Sequence, residues 1–195
     1  MKTLLLKLAM FSWLWSQTVT ATEARDWGID RLMQAMAQVQ THQARFTETH
    51  EMALLQQAMT THGALTFERP DRLVKQFDPP HAQRYEIDAK RLLIQGSDGT
   101  EEIIRLDNAP QLLAFISAMR AVLAGDQTSL AEHFELSLTG VRQDWRLRLT
   151  PIASLLASQL RGIEITGSSN RITTFLVTEQ TGDRLLMRLH HTDGE

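Results

Sequence analysis

"GALTFERPDRLVKQF", residues 63–77, decides how this chain is read. Gly63, Leu65 and Phe67 alternate along one segment, and Leu73, Lys75 and Phe77 alternate along the next. A period of two places each set on one face of a strand. Between the sets stand Arg69 and Pro70. Proline fixes φ and donates nothing to a ladder, so it suits a corner between strands. The stretch therefore predicts two short strands joined at an arginine-proline corner, each with one face turned inward.

The same alternation extends in both directions. Upstream, Ala44, Phe46, Glu48 and His50 share a parity, which predicts a first strand with a partly apolar face. A loop is expected between it and Gly63. Before it, Ile29, Leu32, Met33, Met36 and Val39 recur at helical spacing, with Asp26 as the expected N-cap. Downstream, Pro79 and Pro80 end the third strand, and residues 84–106 predict three more strands with turns at 88–90 and 98–99. Residues 109–126 predict a second helix, with Pro110 in its first turn and Gly125 just past its end. Its apolar set, Leu112, Leu113, Phe115, Ile116, Met119, Val122 and Leu123, forms a wide stripe. A short helical piece at 129–133 follows.

The last third is mostly strand. Phe134, Leu136 and Leu138 alternate, as do Trp145, Leu147 and Leu149 against Arg146 and Arg148. A short helix-like crossing leads to three final strands, turning at 168–170 and 181–183. About eleven strands and two substantial helices result. Their alternation predicts an α+β fold: one large antiparallel sheet or unclosed β-barrel whose concave apolar face is covered by helices. Such a sheet need not fill its interior with side chains, which leaves room for an apolar cavity.

Composition narrows the function. Of 195 residues, 43% are apolar and 22% charged, and no linker or repeat divides them. The net charge of −3 and the absence of a basic run argue against nucleic acid. There is no cysteine, which excludes disulfides, thiolate metal sites, cysteine nucleophiles and a lipid-anchoring cysteine. Lys2 and Lys7, an apolar stretch over residues 8–15, and small residues up to Ala21 read as a signal peptide over residues 1–21. Residues 22–195 are then one domain, expected in the periplasm as a monomer. There is no Gly-x-Ser-x-Gly elbow, and none of the seven histidines stands in a metal-binding spacing. His190–His191 and Glu101–Glu102 point to alternate strand faces. No catalytic residue, metal or cofactor is expected.

With the helix, the Phe46 strand, the Gly63-x-Leu65-x-Phe67 pattern, the Arg69-Pro70 corner and the mid-chain helix in this order, the chain resembles the LolA-like family of periplasmic lipoprotein and lipid carriers. The resemblance implies an unclosed barrel with helices as a lid and acyl chains of a lipid or lipoprotein held beneath it. The inner-face residues Phe46, Leu65, Phe67, Leu73, Phe77, Phe115, Met119, Trp145 and Leu147 are the cargo-cavity candidates it implies. Arg69 matches the family arginine that bonds lid-helix backbone and holds the closed state. An inner-membrane exporter and an outer-membrane receptor are the implied partners. The missing cysteine matches the soluble carrier type rather than the anchored receptor type. A lipid-sensing or protein-interaction module on the same fold, and an acyl-ester hydrolase, are the competing readings.

Overall fold

The computed structural model describes residues 27–54, 57–88, 90–108 and 110–191. The expected signal peptide and the candidate N-cap Asp26 lie outside the described residues. Eleven antiparallel strands form one sheet: β1 (Thr41–Met52), β2 (Gln57–Glu68), β3 (Arg72–Phe77), β4 (Gln83–Asp88), β5 (Arg91–Gly96), β6 (Glu101–Arg105), β7 (Phe134–Val141), β8 (Asp144–Pro151), β9 (Leu160–Ser168), β10 (Arg171–Glu179) and β11 (Arg184–His190). Among the described residues four α-helices accompany it: α1 (Ile29–Ala37), α2 (Pro110–Ala124), α3 (Gln127–Ala131) and α4 (Ser154–Ala157).

The strand order is β6-β5-β4-β3-β2-β1-β11-β10-β9-β8-β7. The first and last strands pair at the centre, Phe46 opposite Leu189 and Glu48 opposite Met187. Every sequential neighbour pairs except β6 and β7, which form the two edges. The chain crosses between those edges through α2 and α3. The sheet is therefore an up-and-down meander whose edge strands, β6 and β7, do not pair.

Alternation builds the core. In β8, Trp145, Leu147 and Leu149 are fully buried while Arg146 and Arg148 are exposed and reach Glu164 on the outer face. Strand β9 contributes Ile163 and Ile165 in the same way, and β10 contributes Ile172 and, after a bulge that shifts its phase between Ile172 and Thr174, Phe175. These side chains form one cluster with Leu32, Met33 and Met36 of α1, Ile116, Met119, Val122 and Leu123 of α2, and Leu130 of α3. Fully burying one such side chain contributes about 1.5–3 kcal/mol.

Two expectations shift. Helix α1 starts at Ile29 with Gly28 in the N-cap position and no side-chain cap. Strand β2 begins at Gln57, where a loop up to Gly63 was expected. Residues 57–62 are mostly exposed, so their strand carries no apolar signal; pairing along the whole of β1 extends it.

Two glycines are required by close approach. At Gly63 an added Cβ would lie 2.0 Å from the Gln76 carbonyl oxygen and 2.6 Å from the Phe46 ring. Gly63 thus lets the Phe46 ring lie across β2 toward Phe77, which it meets edge-on at 5.5 Å. Gly125 ends α2 with φ of 69°, and its Cβ position lies 2.2 Å from the Met33 carbonyl oxygen of α1.

Candidate functional site

The register places inner-face side chains in rows across the sheet. One row runs Ala44, Leu65, Lys75, Tyr85 and Ile94. The next toward the other end runs Leu189, Phe46, Gly63 and Phe77. A third runs Leu147, Ile165, Phe175, Met187 and Glu48, and beyond it lie Ile163, Val177, Leu185 and His50. Within this frame the candidate cavity residues divide. Phe46, Leu65, Phe67, Leu73, Met119, Trp145 and Leu147 are buried among one another and the helices. Trp145 also donates its indole N–H to the Ser169 carbonyl at 3.0 Å, as a core tryptophan must. Phe77 and Phe115 are only partly buried.

The open space lies elsewhere on the same face. A cavity of about 550 Å³ opens between α2, α4 and strands β9 to β11. Its apolar wall is Phe115, Leu156, Leu160, Val177 and Leu185, and its polar rim is Ser158, Gln159, Glu179, Gln180 and Thr181. Of the sequence candidates only Phe115 borders it. Val177 and Leu185 carry the parity of Phe175 and Met187, which was the available signal. The four-residue helix α4, which supplies Leu156 to the wall, leaves Leu155 and nearby Ile152 largely exposed.

The helices are tied to the sheet at the arginine-proline corner. An α-helix leaves its last four carbonyls without helical partners. In α2 the Asp126 N–H takes that of Ala121 at 2.8 Å, and the Gly125 N–H takes that of Val122 at 3.1 Å. The remaining two are met from the sheet: the His42 ring approaches Leu123, and Arg69 Nη1 donates to the Ala124 carbonyl at 2.7 Å. A guanidinium at a helix C-terminus also meets the negative end of the helix dipole. A second contact runs in the opposite sense. Arg120 of α2 reaches back to Asp71 at 2.8 Å, two residues past Arg69. Arg120 was passed over in the sequence, although it is the single charge in the fifteen-residue apolar helix PQLLAFISAMRAVLA.

His42 completes the corner. Burial lowers its pKa from 6.5, the Leu123 carbonyl opposes that shift, and His191 and Arg69 reinforce it. Its Nε2 is buried without a hydrogen-bond partner among the described residues. His191 donates to the Ile172 carbonyl at 2.6 Å.

One charged pair sits on the apolar face itself. Lys75 Nζ lies 2.7 and 2.6 Å from the two carboxylate oxygens of Glu48, and both side chains are about nine-tenths or so buried, at 15% and 10% exposure. The ammonium stands over the rings of Phe46 and Phe77 at 4.9 and 4.6 Å. Burial lowers the Lys75 pKa, with the Glu48 charge and hydrogen bond opposing.

Among the described residues no three histidine or acidic side chains gather as a metal site, and no helix is long and apolar enough to cross a membrane.

An unclosed eleven-stranded sheet, a helical cover and a cavity between them are a binding architecture, and comparison agrees. The family model for outer membrane lipoprotein carrier protein LolA-like matches residues 20–187. The chain belongs to this LolA-like family. The similar solved structures are distant in sequence. A LolA superfamily protein from Nitrosomonas europaea is 8% identical, covering 82% of this chain and 90% of its own, with a TM-score of 0.44. A putative outer membrane lipoprotein-sorting protein domain from Vibrio parahaemolyticus is 12% identical over 86% and 92%, with a TM-score of 0.48. MucB of Pseudomonas aeruginosa, solved with MucA, is 17% identical over 83% of this chain and 53% of its own, at 0.42. No curated protein matches the chain by sequence. The LolA-like fold is a binding and carrier fold rather than a typical enzyme scaffold.

Proposed function

We propose that this LolA-like protein is a periplasmic carrier that takes up the acyl chains of a lipid or lipoprotein and releases them to an acceptor at the outer membrane. The observation that carries the reading is the cavity of about 550 Å³ walled by Phe115, Leu156, Leu160, Val177 and Leu185. Its size falls in the ~300–1,000 Å³ range of small-molecule sites, and its apolar wall with a polar rim suits a hydrocarbon tail with a polar end. Each buried methylene contributes ~0.8 kcal/mol, so about eight of them supply about 6 kcal/mol before ordering costs.

Release then requires a second state of lower affinity, because a ligand shifts an equilibrium only by its differential affinity for the two states. Helix α2 supplies both a cavity wall, through Phe115, and the attachment to the corner, through Ala124 and Arg120. Arg69 and the Asp71–Arg120 pair act as a two-point clasp that holds α2 down over the cavity. The exporter and receptor partners expected for a carrier would act by opening that clasp.

The test is direct. Purified protein, extracted with organic solvent, yields a lipid by mass spectrometry, or the apo protein binds an apolar fluorescent dye. Leu185→Trp fills the cavity and weakens dye binding at least tenfold while the circular dichroism spectrum is retained. Wild-type protein that carries no lipid and binds no dye, or dye binding untouched by Leu185→Trp, overturns the reading.

A further inference from the structure

The Lys75–Glu48 pair has no evident place in a fold otherwise held by apolar contacts. Burying two charges costs several kcal/mol per ion, and an apolar pair of similar volume serves stability as well or better. Neighbouring inner-face positions are filled that way, by Leu65, Phe46 and Met187. A buried, internally paired charge on the wall of a binding fold is a candidate for recognition.

Position and stoichiometry narrow what it recognises. Glu48 lies one inner-face step along β1 from His50, and His50 is opposite the cavity-wall residue Leu185. At ~3.3 Å per residue, that step is about 7 Å, whereas the Lys75 backbone stands two strands away on β3, in the row of Ala44 and Leu65. The side toward β3 to β6 is incompletely covered: Phe77, Tyr85, Ile94 and Ile104 are only partly buried. An ammonium has three donors. Two oxygens of Glu48 engage it, and no other oxygen or nitrogen acceptor is within reach among the described residues. One N–H therefore remains to be offered. The pair is also net neutral. An incoming anion would meet the Glu48 carboxylate at close range, whereas a neutral carbonyl adds an acceptor and no charge.

We propose that Lys75, held by Glu48, is a recognition site for the neutral carbonyl of an acyl ester or amide, the linkage between a cargo's tail and its head. The inference rests on the carrier reading: acyl tails lie along the inner face, and the carbonyl at their polar end meets Lys75 from the incompletely covered side at β3 to β6. Phe46 and Phe77 hold the ammonium in place, and Gly63 between them makes room for the Phe46 ring.

Three C16 probes test it by dye displacement: the methyl ester of hexadecanoic acid, the hexadecyl methyl ether and hexadecanoate. Wild-type protein is expected to bind the ester about tenfold more tightly than the ether, as a hydrogen bond to a charged donor in a buried site gives. It is also expected to prefer the ester to the carboxylate. Lys75→Met/Glu48→Met should erase the ester-to-ether ratio. Glu48→Gln should reverse the order of ester and carboxylate, because Lys75 then stands unbalanced. An unchanged ester-to-ether ratio in the double variant, or no gain of carboxylate binding in Glu48→Gln, overturns the site. If the double variant does not fold, the Glu48→Gln arm decides alone. Equal binding of all three probes by the wild type removes the carbonyl site and leaves the carrier reading standing. Displacement by none removes both.

Discussion

Arg69→Met keeps the stem of the side chain and removes the guanidinium that donates to the Ala124 carbonyl at 2.7 Å. A hydrogen bond with a charged partner contributes about 1.5–3 kcal/mol, and the contact is partly buried, so screening discounts it only in part. Taking about 2 kcal/mol, the equilibrium between docked and undocked α2 shifts about 30-fold toward undocked. The readout is native-state hydrogen exchange. The Gly125 and Asp126 amides, bonded to the Val122 and Ala121 carbonyls, report the end of α2. The amides of Leu147 and Ile165, in the fully buried β8–β9 ladder, report the sheet. Protection at the helix end should fall about 10- to 100-fold while the sheet stays within twofold. Asp71→Asn, which cuts the second tie to Arg120, should produce a smaller loss at the same amides. Unchanged protection at Gly125 and Asp126 would refute the clasp. Equal loss across helix and sheet would show that Arg69 stabilises the whole fold instead.

Two further outcomes follow from the packing. Gly63→Ala drives a Cβ to 2.0 Å from the Gln76 carbonyl oxygen and should cost about 1–3 kcal/mol, read as a lowered urea midpoint; an unchanged midpoint would contradict the close approach. His42 has a folded-state pKa below its ordinary 6.5, chiefly through burial, so the unfolded chain takes up its proton first. The stability due to neutral His42 is full above pH ~6.5 and is lost as pH falls from there through the lower folded value. His42→Gln should flatten that part of the urea-midpoint profile between pH 7.5 and 5; parallel profiles would exclude His42 as the source.

Much of the architecture was legible because alternation survives in single strands. The parity of Trp145, Leu147 and Leu149 against two arginines assigns β8 without reference to anything else, and Pro110 and Gly125 bracket α2 as written. Residues 57–62 were not legible, since a strand exposed on both faces has no apolar period. The position of the open space was not legible for a different reason. Parity states which face a side chain joins and not how far the helices fill that face. Phe46, Phe67, Trp145 and Leu147 are on the inner face and packed; Leu185 and Val177, on the same face, are the ones left beside open space. Glu48 and Lys75 each carried inner-face parity, but they stand 27 positions apart and meet only because two ladders and Gly63 bring β3 to β1. Arg69 could be singled out from its corner, whereas its companion Arg120 was hidden inside an apolar helix.

Native mass spectrometry of the protein as purified, followed by solvent extraction and repeated on Leu185→Trp, bears most directly on the carrier function. Wild-type protein should show a bound mass that extracts as an acyl lipid, and the cavity-filled variant should show the bare chain. A wild-type spectrum of bare chain alone, in protein that also fails to take up an apolar dye, would contradict it.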